Sequence, residues 1–416
     1  KKAVFIDITN IDSKITYDLS NKTTTAISTI EFKMNKDGHA IFDLRPEITH
    51  IDVNGSKSNA SLISAPADRT EYRMLETALT AGTHKMTITN NITTNVKLKS
   101  NSVRSAFWMS DLADRKYIEQ YLPTNIEFDQ YAMNLEVKIN GSSNIENHEI
   151  FSNGFMTKKA ENHFLINFPE YFAASSFYFH LSEVDAYKKN EFRFESINGK
   201  SIPVIIYASS SWSLGSAKKK TIKCLNELEG KLGAWSHPSL TIYIAGSGGM
   251  EHSGATITSM YALEHEITHS YFARGVMPVD GNSGWLDEAI ASWRDDGYKS
   301  TRAPNFSSTS MAAHSEYRRS TDRKAYTQGA NFMAFLNNRL QNQGGLISFL
   351  AQIYKKYSHK NITTRMFQKE LEAYAGESFA NEFNKYIFGA AIAEKSSAAQ
   401  NPYHVKLSKE ELLNLL

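Results

Sequence analysis

The sequence predicts an α+β chain: an N-terminal antiparallel β domain over residues 1–205, a mostly helical second domain over 206–392, and a tail, 393–416. Three observations carry this. Up to Tyr207 the apolar residues alternate or fall in β-branched runs, broken by Asn-Gly turn signals. Beyond Tyr207 the apolar spacing lengthens to that of helices. Within that second part, His265-Glu266-Ile267-Thr268-His269, followed by Glu288, gathers residue types that bind a metal ion.

In chain order, Phe5-Ile6-Asp7-Ile8, Ile30-Glu31-Phe32-Lys33, Lys85-Met86-Thr87-Ile88 and Leu135-Glu136-Val137-Lys138-Ile139 read as strands. Asn54-Gly55, Asn140-Gly141 and Asn198-Gly199 read as turns between them. Only Ser110 to Gln120 has a helical period in this half, so a sandwich or saddle of sheets is expected. Pro203 to Tyr207 forms a further strand, and Ser216 to Leu232 an amphipathic helix with Lys218, Lys219 and Lys220 on a solvated face. Leu240 to Ala245 reads as a strand running into the loop Gly246-Ser247-Gly248-Gly249-Met250-Glu251-His252. No Gly-Lys-Ser/Thr follows that loop, so a phosphate cradle is disfavoured. The small residues at Gly248 and Gly249 suit a strand edge that a peptide backbone approaches closely. Helices are expected over 323–340, 345–357, 364–374 and 378–388.

The metal pattern follows from helix geometry. Histidines four apart lie about 40° apart around the axis, so both imidazoles can reach one ion. Met260, Leu263, Ile267 and Tyr271 occupy the opposite, core-facing side. Glu266 projects beside the histidines, where a carboxylate can accept a proton from water. Arg274-Gly275 and Pro278 supply an end for this helix, and Ser283 an N-cap for a second one carrying Glu288 one turn in. Two imidazoles and one carboxylate with an open fourth position form the ligand set of a hydrolytic zinc site, one Zn2+ per chain. The competing reading is two histidines and a glutamate on a solvated face. The third acidic ligand at a workable distance argues against it.

Composition bounds the rest. At 416 residues the chain is long enough for two or three domains with large cores, and 41% hydrophobic residues mark a globular class. Lys plus Arg number 46 against 44 Asp plus Glu, so the net charge of +2 implies no nucleic-acid partner. Cys224 is the single cysteine, which excludes an internal disulfide, and its apolar neighbours suit a packed thiol. No apolar run reaches the roughly eighteen residues of a transmembrane helix. The first residue is Lys1 with no methionine, as after signal-peptide removal or trimming, and a bacterial periplasmic or secreted location is favoured over a cytoplasmic one.

On these residues the chain resembles the M1 family of zinc aminopeptidases, the gluzincin group that contains aminopeptidase N and leukotriene A4 hydrolase. Val53-Asn54-Gly55 and Pro123 to Ile139 with Glu127-Phe128-Asp129 look like early family segments. Gly248-Gly249-Met250-Glu251-His252 is similar to the family's Gly-x-Met-Glu-Asn signature. His269 and Glu288 show its spacing of eighteen intervening residues, and Trp285-Leu286-Asp287-Glu288-Ala289 resembles Trp-Leu-Asn-Glu-Gly. Ala325-Tyr326-Thr327-Gln328-Gly329-Ala330 resembles Tyr-Glu-Lys-Gly-Ala. The resemblance implies a thermolysin-like catalytic domain, with Tyr326 donating to the developing oxyanion and Glu251 binding a free amino terminus. His252 stands where the signature has asparagine. Met109-Ser110-Asp111, ahead of the matched Arg115, lacks the family's amine-binding glutamine or glutamate. Glu251-His252 is also similar to the Gly-Leu-Glu-His of the M61 glycyl aminopeptidases, whose ligand spacing is longer. On this resemblance the sequence is expected to span the family's compact form, without the C-terminal helical domain of its larger members.

The expected activity is therefore a zinc aminopeptidase acting on peptides, with Glu266 as general base. An endopeptidase or non-peptide hydrolase on the same metal core, or a catalytically weak binding protein, are the alternatives.

Overall fold

Long β-branched runs in the first half form long strands. The computed structural model describes residues 2–65, 70–109, 116–127, 129–141, 144–246, 248–314 and 320–389. These fall into two compact units, 2–186 and 187–389. The first unit centres on an eight-stranded sheet, built around Asp7–Asp18 paired antiparallel with Thr23–Met34. A bulge between Ile8 and Asn10 lets Ile8 and Ile11, three apart, both face the core. Two four-stranded sheets, one holding Ala3–Phe5 and Gly38–Phe42 and the other Val103–Ala106 and Phe179–Glu183, contribute to the same apolar cluster. Asn54 (φ 52°) and Gly55 (φ 78°) make the expected two-residue hairpin turn between Ile48–Val53 and Ser56–Lys57.

Two strand pairs in this unit are parallel: Ala132–Asn140 with Asp7–Asp18, and Ala3–Phe5 with Gly38–Phe42. The unit is thus a mixed β structure and not the purely antiparallel one expected. Asn140-Gly141 makes no hairpin, because Ala132–Asn140 lies between the parallel partner and His163–Phe168. Of the helix expected over Ser110 to Gln120, only the 3-10 turn Ile118–Gln120 is seen; residues 110–115, including Arg115, lie outside the described residues, as does Phe128.

Asp129 in this unit is buried, accepting from the Ile8 N–H at 3.0 Å and from Asn125 Nδ2 at 2.8 Å. Burial pushes its carboxyl up to about 8, against those two hydrogen bonds. Between its unfolded pKa and 8 the folded state holds a proton that the unfolded state has lost. Stability therefore falls as pH rises through that window and levels off above it. Asp129→Asn is expected to remove this slope, worth on the order of 5 kcal/mol at most. Chemical unfolding midpoints at pH 5 and pH 8 check it, and an unchanged slope in the variant would refute the assignment.

In the second unit a five-stranded sheet runs in the order Lys188–Glu195, Ser201–Ala208, Leu240–Ile244, Ala255–Thr258, Gly249–His252. The three middle strands are parallel and both edges antiparallel. The boundary expected at residue 205 falls inside Ser201–Ala208, so the observed division lies earlier, between Ala186 and Tyr187. Tail residues 393–416 lie outside the described residues. Helix α1 (Leu214–Leu232) connects two of the parallel strands and buries Ala217, Thr221, Cys224, Leu225 and Leu228. Burial raises the Cys224 thiol to about 12, as a packed, inert cysteine requires. Lys220 is not merely solvated: its Nζ donates to the Met260 carbonyl at 3.1 Å and pairs with Glu264 at 3.3 Å.

Helices α2 (Leu263–His269) and α3 (Trp285–Asp295) follow, then a π-helical turn (Ala325–Gly329) that runs into α4 (Ala330–Arg339). Helices α5 (Gly345–Tyr357), α6 (Thr364–Ala375) and α7 (Ala380–Tyr386) complete the unit. α6 shows why its ends were legible: Thr363 Oγ1 accepts from Met366 N, and Gly376 closes the helix at φ 70°. No helix among the described residues is long and apolar enough to cross a membrane.

Candidate active site

α2 buries Leu263 and Ile267 in the core, with Tyr271 just beyond its end, which turns His265 and His269 to the other side. The helix stops at His269, before the expected Arg274-Gly275. Arg274 N donates to the His269 carbonyl and Val276 N to the Tyr271 carbonyl, folding the chain back at once. A side chain at Gly275 would meet the Ser270 and Tyr271 carbonyls at 2.5 and 2.6 Å, so glycine is required there by close approach. α3 starts after Gly284 and not at a Ser283 cap. The Ser283 hydroxyl instead donates to Asp280 and accepts from Thr364 N at 2.9 Å, tying the start of α3 to α6.

These elements bring His265, His269 and Glu288 together. Glu288 Oε2 lies 3.3 Å from His265 Nε2 and 3.4 Å from His269 Nε2. Ligand atoms about 2.0–2.1 Å from a tetrahedral ion stand about 3.3–3.4 Å apart, so these separations match edges of a zinc coordination shell. The outward ring nitrogens are also held. His265 Nδ1 is 2.6 Å from Asp295 Oδ2, and His269 Nδ1 is 3.4 Å from the Phe272 carbonyl. That pattern turns Nε2 of each ring toward Glu288, where both could bind one ion. The donor set and spacing fit zinc.

A second group, Glu251, Glu266 and His269, is also close enough to share an ion. It fits less well, because Glu251 is already paired with the buried Arg274 guanidinium at 2.8 Å.

Electrostatics favour a cation at the first group. Burial works against charge on His265, but Asp295 and Glu288 overcome it and hold the imidazolium up to about 11. His269 is likewise raised to about 9, with Glu288 outweighing burial. Glu288 is held well below the usual carboxylate range: burial opposes this, and the two histidines prevail. The same negative field attracts a dication, for which the imidazoles give up their protons. Burial pushes the Glu266 carboxyl upward, only partly offset by His269. A dication nearby works against that shift.

Glu266 is fixed by packing. A side chain at Gly249 would meet Glu266 Oε1 at 2.2 Å and its Cδ at 2.3 Å, so the glycine is needed to admit this carboxylate. Its other oxygen, Oε2, is buried with no hydrogen-bond partner among the described residues. Gly248 has a different part: φ is 83° and its missing side chain would touch nothing within 4 Å, so it turns the chain into the edge strand Gly249–His252. Ser247, beside it, lies outside the described residues. Tyr326 sits on the π-helical turn, its hydroxyl donating to Glu288 Oε1 at 2.8 Å. Gly329 lets that turn approach α3, since a side chain there would meet Ala289 Cβ at 2.7 Å. Burial and the neighbouring Glu288 raise the Tyr326 phenol, so it stays a donor at any working pH.

Two residues were missed from the sequence. Asp295 lies seven positions after Glu288, two turns along one face of α3, so helix periodicity could have exposed it. Its other oxygen takes Arg294 at 3.1 Å, and Arg294 is anchored on α1 by Glu227 at 2.8 Å. Asp295→Asn is expected to weaken zinc affinity about 10–100-fold by loosening His265. Competition with a chromophoric chelator measures this, and unchanged affinity would remove Asp295 from the metal's support. Arg274, the partner of Glu251, had no local signal beyond its reading as a helix end.

Neither a family model nor a curated protein sequence matches the chain. In structure it is similar to an M1 zinc metallopeptidase from Deinococcus radiodurans, at 14% identity over 89% of this chain and 91% of that one, with a TM-score of 0.66. It is also similar to Legionella pneumophila aminopeptidase A in complex with aspartic acid, at 12% identity over 94% of this chain and 50% of that one, TM-score 0.68. For native yeast LTA4 hydrolase the values are 12%, 92%, 68% and 0.64. At such identities the likeness is one of fold: the chain has the fold of the M1 zinc metallopeptidases.

Proposed function

We propose that the chain is a zinc-dependent peptidase whose second unit is a thermolysin-like catalytic domain. The carrying observation is the set of three donors spaced as edges of a zinc shell, with a buried, partnerless carboxylate oxygen on Glu266 beside them. His265, His269 and Glu288 would hold one ion, which when bound acidifies water and polarises a carbonyl. Glu266 takes the proton from the attacking water and delivers it to the leaving amine. Tyr326 turns its hydroxyl from Glu288 to the oxyanion that develops on the substrate. Gly249–His252, at the end of the sheet order, is an edge on which an extended peptide can add as a further strand. An intact base and donor argue against a binding protein, which has no use for a proton acceptor.

Aminopeptidase action, the sequence-level expectation, needs Glu251 as anchor for a free amine. The buried pair between Glu251 and Arg274 favours the endopeptidase reading instead. Peptides with internal quenchers test the zinc peptidase reading. Activity is expected to vanish on chelation and return with about one zinc per chain. Activity that survives complete removal of metal would refute it.

A further inference from the structure

Five carboxylates lie on or beside the ligand set. Glu288 sits between the two histidines and accepts from Tyr326. Asp295 holds His265, and Asp287 accepts from the Glu288 N–H at 2.6 Å. Glu266 is the proposed base. That leaves Glu251, whose carboxylate comes within 4.8 Å of both Glu266 and His269. It is the one acid among these that could receive a substrate ammonium next to the reacting bond.

Glu251 is not available in that sense. Arg274 Nη2 donates to its Oε1 at 2.8 Å, and Arg274 Nε lies 3.4 Å from its backbone carbonyl. Both residues are 4% exposed. We propose that Arg274 determines the substrate class: by holding Glu251 in a buried ion pair it withdraws the anchor for a free amino terminus, so the site takes peptides that continue past, or are acylated on, the amino side of the cleaved bond. This rests on the peptidase reading above.

A guanidinium offers a carboxylate a planar fork of donors that an ammonium lacks, so Arg274 is the better-matched partner for Glu251. Drawing Glu251 away to an ammonium would break this buried ion pair, which is costly away from water. Sharing the carboxylate would place two cations side by side, whereas an amide N–H adds no charge. The fold also invests in the position of Arg274. Ala273 before it has φ 147°, a value that L residues seldom adopt, and Gly275 after it is needed for close approach.

The test uses one short peptide and its N-acetylated twin. Calorimetry on zinc-loaded Glu266→Gln protein reads binding, and the unmodified protein reads cleavage. The twins are expected to bind and to be cut within about threefold of one another, and adding Glu251→Gln is expected to leave both ratios there. A preference for the free amine of about 30-fold or more, collapsing in Glu251→Gln, is what one desolvated charge pair would give and overturns the proposal. Arg274→Gln, where it folds, is expected to create a free-amine preference. Because each ratio compares two peptides on one protein, loss of folded material cancels, and Glu251→Gln decides by itself where Arg274→Gln does not fold. Failure of both twins to bind or be cut sinks the peptidase reading and this inference with it; a free-amine preference sinks the inference alone.

Discussion

Replacing Glu266 by glutamine is expected to lower kcat/KM by about 10²–10⁴-fold, the usual share of a positioned general base, with zinc still bound at one per chain. The amide has the volume of the carboxylate, so it keeps its place against Gly249, where no side chain larger than hydrogen fits. It cannot accept the water's proton. The variant also separates the two groups of donors that could share an ion. In His265, His269 and Glu288 the mutated residue is no ligand, and zinc content is unchanged; in Glu251, Glu266 and His269 it is one, and zinc falls with activity. Elemental analysis beside a quenched-peptide assay reads both quantities. Parallel loss of metal and activity would move the ion to the second group and end the role of Glu266 as base.

Tyr326→Phe is expected to lower kcat about 10²–10³-fold with little change in KM, because an oxyanion donor acts chiefly in the transition state. The hydroxyl has a second partner in the structure, Glu288 Oε1 at 2.8 Å, so its loss could also act through the ligand. That route predicts a different result: zinc affinity would fall about 10–100-fold, as for other groups that orient ligands, and saturating zinc would restore kcat. Measuring kcat with excess zinc therefore separates the two. A change in KM alone would place Tyr326 in ordinary substrate binding.

How much of this was legible depends on how local each interaction is. His265 and His269 could be placed from spacing alone, because four residues on a helix fix their relative direction wherever the helix packs. The glutamate one turn into the next helix could be picked as a candidate ligand from its residue type and its distance along the chain, although its cap was not legible: Ser283 is drawn to Asp280 and Thr364, contacts no window around Ser283 contains. The hairpin at Asn54-Gly55 was likewise local, as positive φ at both residues is a property of the dipeptide. Strand partners were not, and the parallel pairing of Ala132–Asn140 with Asp7–Asp18 joins segments more than a hundred residues apart.

Which side chains could make a metal site, and on which helix faces they stand, is readable along the chain, since helical period and residue chemistry are carried within a few neighbours. What each charge is paired with is fixed by packing between distant segments. Gly249 proved to make room for the Glu266 carboxylate, a contact between a sheet edge and a helix. Glu251 proved to be taken by Arg274, twenty-three positions away, after the sharp turn at Ala273. Pairing of a buried charge is settled by whichever counter-charge the packed chain delivers to it, and no periodicity records that choice.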